Sequence, residues 1–239
     1  MTEENKFSKP TIILVCPQMG ENIGATARAM KNFALGELRI VNPRDGWPNE
    51  QARSTAVGAV NVIDNAKIYD TLEESIKDIE YLYATTCTKR TMNKDYVFSQ
   101  DLSLDYPLGQ KAGIMFGREN NGLSNEEVSL AHKIITINTS EFSSLNIAQA
   151  VIIICYELFC NKPHDGNISI CNTQKLATRG EVNYFLEHLF NQLDKKNFFK
   201  VPEKTLMMKQ NITNIFTRID KLSGTEVQTL RGIIKALGF

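Results

Sequence analysis

Phe142-Ser143-Ser144-Leu145-Asn146-Ile147-Ala148-Gln149-Ala150-Val151 decides how the rest of the chain is read, because two small hydroxyls and an amide stand where a loop gives way to a strongly apolar run. The run continues to about Cys160, almost wholly in Ile, Val, Ala and Leu, so it reads as a buried helix with Ser143 or Ser144 as its N-cap. Asn146, just past that cap, needs partners or a cavity, since an unpaired buried amide costs about 1–3 kcal/mol. Capping is the simpler account of this segment alone, and ligand binding stays open beside it.

Two upstream segments share its grammar. Residues 111–116 read as a short buried strand, Gly117-Arg118-Glu119-Asn120-Asn121-Gly122-Leu123 as a loop, and Ser124-Asn125-Glu126-Glu127 as a capping box that opens a helix. Gly117 and Gly122 suit either close approach of backbone N–H groups to a ligand or tight loop geometry for its own sake. Near the start, residues 11–16 form an apolar strand, 17–22 a loop and Ile23-Gly24-Ala25-Thr26-Ala27-Arg28-Ala29-Met30 a small-residue helix, which brings forward Asn22 and Arg28. Taken singly, Arg28 is a surface helix arginine and Glu119 the ion-pair partner of Arg118 or Lys111.

The pattern continues as alternating strands and helices. Strands are expected at 37–41, 67–69, 81–85, 112–116 and 134–137, and helices at 51–57, 72–78 and 125–132, the second of these opened by Thr71-Leu72-Glu73-Glu74. Residues 91–110 lack periodicity and read as surface loop. The fold class is α/β, a mostly parallel sheet with helices on both faces. A polar, turn-rich linker over 163–174 leads to three helices: one capped at Thr178, one begun by Pro202 and aligning Met208, Ile212, Ile215, Phe216 and Ile219, and one opened by Thr225 and carrying Val227, Leu230, Ile234 and Leu237. These apolar stripes read as a small core or a dimer contact.

Composition narrows the function class. Cys16, Cys87, Cys155, Cys160 and Cys171 are odd in number and lack metal-site spacing, and His132, His164 and His188 are scattered, so neither a metal cluster nor a histidine triad is suggested. No secretory leader is recognisable and the longest apolar run is far too short for a bilayer, so a reduced, cytoplasmic protein is expected, with no membrane and no metal. The zero net charge divides unevenly: Lys and Arg number 16 against 21 acidic residues through Cys171, and 11 against 6 after it. A basic end carrying Lys204, Lys209, Arg218, Lys221, Arg231 and Lys235 suits a polyanion, although solvated helix faces account for it equally.

The segments 22–33, 113–127 and 143–151, in this order and spacing, resemble the three signature motifs of the SPOUT class of RNA methyltransferases, within it the TrmH/TrmJ branch of ribose 2′-O-methyltransferases. The helical extension resembles the TrmJ type. Ala84 stands where glycine is frequent in the family, and Thr139-Ser140-Glu141-Phe142 replaces a more usual Asn-Pro-Glu-Tyr. The resemblance implies a trefoil-knotted domain over 1–162, a linker over 163–174 and a basic helical extension over 175–239 that contacts tRNA or supports a dimer. It implies methylation of a ribose in tRNA, the cytidine or uridine at position 32 of the anticodon loop. Ribosomal RNA or another tRNA site is the alternative substrate, and a catalytically silent RNA-binding homologue the alternative class.

The resemblance also implies residue roles. S-adenosylmethionine would lie against Thr85, Thr86 and Cys87, then Gly117, Gly122 and Leu123, then Thr136 or Ile137, then Ser143, Ser144 and Leu145. Arg28 would clamp the target phosphate and stabilise the developing alkoxide, with Asn22, Glu119, Ser144 and Asn146 as the polar groups around it. The unit would be a homodimer in which the small face of Gly24, Ala25, Ala27 and Ala29 permits close helix approach, and Asn22 and Arg28 act on the partner's cofactor loops.

Overall fold

The computed structural model describes residues 7–88, 90–161, 176–219 and 222–236. The linker 163–174, together with Lys221 and Leu237, lies outside them. In chain order the elements are β1 (Thr11–Val15), α1 (Gly20–Asn32), β2 (Leu38–Val41), α2 (Glu50–Ala56), α3 (Val60–Asp64), β3 (Lys67–Tyr69), α4 (Leu72–Ile76), β4 (Tyr81–Thr85), β5 (Asp95–Phe98) and α5 (Leu102–Asp105). There follow β6 (Ala112–Phe116), α6 (Asn125–Ser129), β7 (Lys133–Thr136), α7 (Ile147–Cys160), α8 (Arg179–Lys195), α9 (Pro202–Thr217) and α10 (Gly224–Ala236).

The seven strands form one parallel sheet in the order β3-β2-β1-β6-β4-β7-β5. The two latest strands sit between earlier ones: β6 separates β1 from β4, and β7 separates β4 from β5. Alternation along β1 shows the layering. Ile12 and Leu14 join one core with Ile23 and Ala27 of α1, Ala52 of α2 and Val151 and Ile154 of α7. Ile13 and Val15 join a second core with Leu72 and Ile76 of α4 and Val128 of α6. Both faces of the sheet are thus covered, as the near-continuous apolar strands require.

Several local expectations change. Residues 91–110 hold the edge strand β5, with Val97, Leu102 and Tyr106 buried; at four residues, β5 is too short to show a period. Helix α7 is capped by Asn146, whose Oδ1 accepts from Ala148 N at 2.9 Å, and not by Ser143 or Ser144. Helix α1 starts at Gly20, so Asn22 lies in its first turn instead of in the loop before it. The last helix is capped by Ser223, whose hydroxyl accepts from Glu226 N at 3.2 Å, and not by Thr225.

Helices α8 to α10 share a third core of Ala177, Val182, Phe185, Leu186, Val227 and Ile234. Ile215 and Ile219, expected in the stripe of α9, are exposed. The bundle docks on the α4/α6 side: Arg179 N donates to Ile79 O at 2.8 Å, Gly180 N to Lys77 O at 3.0 Å, and Gln210 Nε2 to Glu126 Oε1 at 2.7 Å. Gly180 is needed there, because a Cβ would stand 2.8 Å from Lys77 Cγ and 2.9 Å from Lys77 O. No helix among the described residues is long and apolar enough to cross a membrane.

Lys94 sits in the dock. Its buried Nζ donates to Ser129 O at 2.9 Å and contacts Ala131 O and Thr217 Oγ1, joining the start of β5 to the end of α9. Burial, followed by the nearby Arg179 and Arg218 cations, pushes its amine down to about 7, with Asp95 opposing. An unfolded lysine titrates near 10.4, so between about 7 and 10 the unfolded chain holds a proton that the folded one does not, and stability rises with pH across that window. The contribution is on the order of 4 kcal/mol across the full window. We predict a urea midpoint higher at pH 9.5 than at pH 7 by roughly 1 M, and loss of most of that difference in Lys94→Met. Equal pH dependence in the two proteins would refute this role for Lys94.

Candidate functional site

Parallel sheets place ligands at the carboxyl ends of their strands where strand order reverses. Such a cavity, of about 250 Å³, opens here at the ends of β4, β6 and β7, against the start of α7. It is lined by Thr85, Thr86 and Cys87 after β4, Gly117 to Leu123 after β6, Ile135 and Ile137 along and past β7, and Ser143 to Leu145 before α7. Ten of the expected cofactor positions therefore meet around one space. Thr136 does not line it: side chains alternate along a strand, so Ile135 and Ile137 face the cavity and Thr136 faces away.

The loop after β6 is closed on itself. Arg118 and Gly122 form an antiparallel bridge, with Arg118 N donating to Gly122 O at 3.2 Å and Gly122 N to Arg118 O at 2.9 Å. A Cβ on Gly117 would stand 2.1 Å from Gly122 C, and Gly122 has φ +64°, so both glycines are dictated by the turn. The N–H of Gly122 is consumed within the loop and is not a donor for a ligand. The Arg118 side chain pairs with Glu127 at 2.9 Å and donates to Cys16 Sγ at 3.2 Å, bracing this loop against the end of β1.

Glu119 does not pair with Arg118 or Lys111. Its carboxylate accepts from Gln18 N at 2.8 Å, Met19 N at 3.3 Å and Asn22 Nδ2 at 2.9 Å. The N-cap residue of α1 is Met19, whose side chain caps no N–H of the helix; Glu119 instead holds the N–H groups of Gln18 and Met19 just ahead of the first turn and sets a negative charge against the positive end of the helix. Asn22 Oδ1 in turn accepts from Asn146 Nδ2 at 2.9 Å. Asn146 is exposed and partnered, not a buried amide seeking a cavity. One chain of hydrogen bonds thus joins the segments around residues 22, 119 and 146.

Arg28 is brought to no such cluster. It projects from the exposed side of α1 and does not line the cavity, while Ser144 lines it and is exposed. The small-residue face of α1 is used within the chain: a Cβ on Gly24 would stand 2.4 Å from Ala52 O and 2.8 Å from Ala56 N, and Ala27 and Ala29 are buried. That face packs on α2 and is not free for a partner. Asn22 hydrogen-bonds its own chain's Glu119 and Asn146. Arg90 also lines the cavity, a residue that sequence reasoning passed over because it sits in an aperiodic basic loop.

Among the described residues no three His, Cys, Asp or Glu side chains are grouped as metal ligands. The wall instead combines apolar groups (Phe116, Ile135, Ile137, Leu145 and Ile147) with threonine hydroxyls and backbone, a donor set suited to a purine nucleoside with a polar tail. We predict that Glu119→Ala, which strips three donors of their acceptor, lowers the thermal midpoint by about 4–9 °C, on a cost of roughly 2–3 kcal/mol. Glu119→Gln, keeping one acceptor oxygen, should lose less; melting curves that place the two variants level with the parent would contradict this role for Glu119.

A profile of the SpoU rRNA Methylase family matches residues 9–156. The chain is 35% identical over 234 residues to the tRNA (cytidine-2'-O-)-methyltransferase TrmJ of Methanocaldococcus jannaschii, a match covering 94% of this chain and 98% of that protein. It is similar to the crystal structure of TrmJ from Z. mobilis ZM4 with a TM-score of 0.88 and 39% identity, over 97% of this chain and 100% of that one. The SpoU methyltransferase AviRb from Streptomyces viridochromogenes shares the fold alone, with a TM-score of 0.52 and 18% identity over 64% of this chain and 60% of that one. With more than half of its residues matched by the family profile, and relatives similar to it along nearly their whole length, the chain belongs to the SpoU rRNA Methylase family.

Proposed function

We propose that the protein is an S-adenosylmethionine-dependent 2′-O-methyltransferase acting on a ribose in tRNA, at the cytidine or uridine of position 32 in the anticodon loop. The observation that carries this reading is the meeting of the second and third motif segments at one cavity, with the first tied to both through Asn22, in a chain similar along nearly its whole length to methyltransferases named for tRNA. Bound there, S-adenosylmethionine supplies a methyl group already activated on a sulfonium. The protein then has to hold a ribose hydroxyl in line, exclude water and assist loss of its proton, and positioning accounts for much of such a barrier.

In this reading Thr85, Thr86, Cys87, Gly117, Leu123, Ile137, Ser143, Ser144 and Leu145 hold the cofactor. Arg28 clamps the RNA phosphate and stabilises the developing alkoxide, because a guanidinium keeps its proton too firmly to act as a base. Glu119, Asn22 and Asn146 fix the start of α1 against the cofactor loops and so determine where Arg28 stands. The division into a knotted methyltransferase domain over 1–162 and a tRNA-contacting extension over 175–239 belongs to the same proposal, as does a reduced cytoplasmic setting, which the free thiols of Cys16, Cys87, Cys155 and Cys160 suit.

The active unit is a homodimer, supported by the exposed apolar side chains of α7, Ile152, Tyr156 and Phe159, the last two packed edge-on and tilted against Phe33 past the end of α1. This face adjoins the helix that carries Arg28, which would then serve the partner's cavity. An Arg28→Ala chain co-expressed with a chain whose cavity is blocked by Ser144→Trp should regain activity in the heterodimer, since one of its two sites keeps an open cavity and an intact, correctly held Arg28. A verified, folded heterodimer without activity would count against the shared site.

Calorimetry should show S-adenosylmethionine binding with a dissociation constant on the order of micromolar, unchanged by chelator. Arg28→Ala should abolish methyl transfer and leave that binding largely intact. Mass mapping of methylated tRNA should place the group on nucleotide 32. Methyl transfer at nucleotide 34 or to ribosomal RNA alone would overturn the substrate assignment, and cofactor binding without transfer to any RNA would favour a silent homologue.

A further inference from the structure

Arg90 stands on the cavity wall with no task in the mechanism above. Its place is fixed from three directions: Nη2 donates to Leu123 O at 2.7 Å, Nη1 to Asn125 Oδ1 at 3.1 Å, and its backbone N to the Tyr96 hydroxyl at 2.9 Å. These contacts tie the loop after β4 to the loop after β6, the two segments between which a ligand would lie. All of its acceptors are neutral. Its Nε is buried and has no acceptor among the described residues.

The other charges on the wall are already compensated. Arg118 is paired with Glu127, and the carboxylate of Glu119 is occupied by two backbone N–H groups and the Asn22 amide. Arg90 is therefore the described cation of this wall whose charge meets no carboxylate, and half-burying an uncompensated guanidinium is costly. A guanidinium has five N–H donors in a planar fork that matches a carboxylate bidentately, and two are used here. The rest of the described wall joins an apolar bed of Phe116, Ile135, Ile137, Leu145 and Ile147 to neutral donors such as Thr86, Asn121 and Ser143, so among the described residues Arg90 is the group there that brings an unpaired positive charge to an anion.

Resting on the proposal that this cavity takes S-adenosylmethionine, we propose that Arg90 receives the carboxylate of the methionyl end of that cofactor and so discriminates it from adenosine derivatives that lack a carboxylate. The carboxylate is the one anionic group the cofactor has. An RNA phosphate is the other source of an oxyanion, but Arg90 contacts Leu123 inside the cofactor loops, whereas Arg28 already presents a guanidinium on the exposed side of α1. Arg90 acts as a binding and selectivity residue, with no part in the methyl transfer itself.

The test is calorimetric and needs no turnover. On the parent protein, S-adenosylhomocysteine should bind about 10- to 100-fold more tightly than its decarboxylated analogue, and Arg90→Met should erase that preference while leaving affinity for 5′-methylthioadenosine within about threefold. Arg90→Lys, which keeps the charge and loses the fork, should fall between the two. Equal weakening of carboxylate-bearing and carboxylate-free ligands would reduce Arg90 to a brace between loops and overturn the inference. Unchanged S-adenosylhomocysteine affinity with weakened tRNA binding would give Arg90 to an RNA phosphate and overturn it as well. Should Arg90→Met fail to fold, the parent's own preference decides, its absence being sufficient to reject the assignment. Failure of the parent to bind either S-adenosylmethionine or S-adenosylhomocysteine would instead strike the proposed function, and the inference with it.

Discussion

The carboxylate of Glu119 is where three separate stretches of chain become one object. An α-helix begins with N–H groups that have no partner within it, and α1 begins after Met19, which has no oxygen in its side chain to offer them. A carboxylate from a loop about a hundred residues later in the chain takes the N–H groups of Gln18 and Met19 just ahead of that start, and also holds the amide of Asn22. Asn22 passes the connection to Asn146, which itself caps α7. Two helix starts and one loop thus share a single set of hydrogen bonds, part-buried at Gln18 and Asn22 and exposed at Met19 and Asn146.

The position of that knot of contacts follows from the sheet. Strand β6 enters between β1 and β4, which brings the loop carrying Glu119 beside the end of β1 and the start of α1. Arg118, the preceding residue, points the other way, to Glu127 and Cys16, and secures the loop from its far side. Between them Gly117 and Gly122 close the turn where a side chain would collide with backbone. The loop's rigidity is what allows a cavity with few polar side chains to present fixed contacts.

The same sheet carries its accessory helices on the opposite layer. Backbone donors at Arg179 and Gly180 meet carbonyls at Ile79 and Lys77, and Lys94 is buried between α6 and α9. A lysine so placed couples the docking of the bundle to pH. Two of the eleven basic residues after Cys171 have internal partners of this kind: Lys209 pairs with Asp194 and lies over the Phe199 ring, and Arg231 lies over that of Tyr184. The surplus positive charge read from the sequence therefore overstates what these two offer to a polyanion.

What the sequence by itself determined was what short-range physics controls. Buried strands such as residues 112–116 announce themselves by continuous apolar runs, and Ser124 and Thr178 by the capping boxes they open. The motif segments were legible as a set, and ten of the eleven positions expected around a cofactor line one cavity. What only the tertiary structure decided was partnership over long separations. Nothing local in Glu119 tells that its partner is the start of a helix near residue 20, nothing in Gly24 that its missing side chain makes room for Ala52 rather than for a second chain, and nothing in Arg90 that it faces the ligand space. Local pattern records how a residue sits in its own element; which elements meet is set by the order of strands in the sheet, and that order is a property of the folded whole.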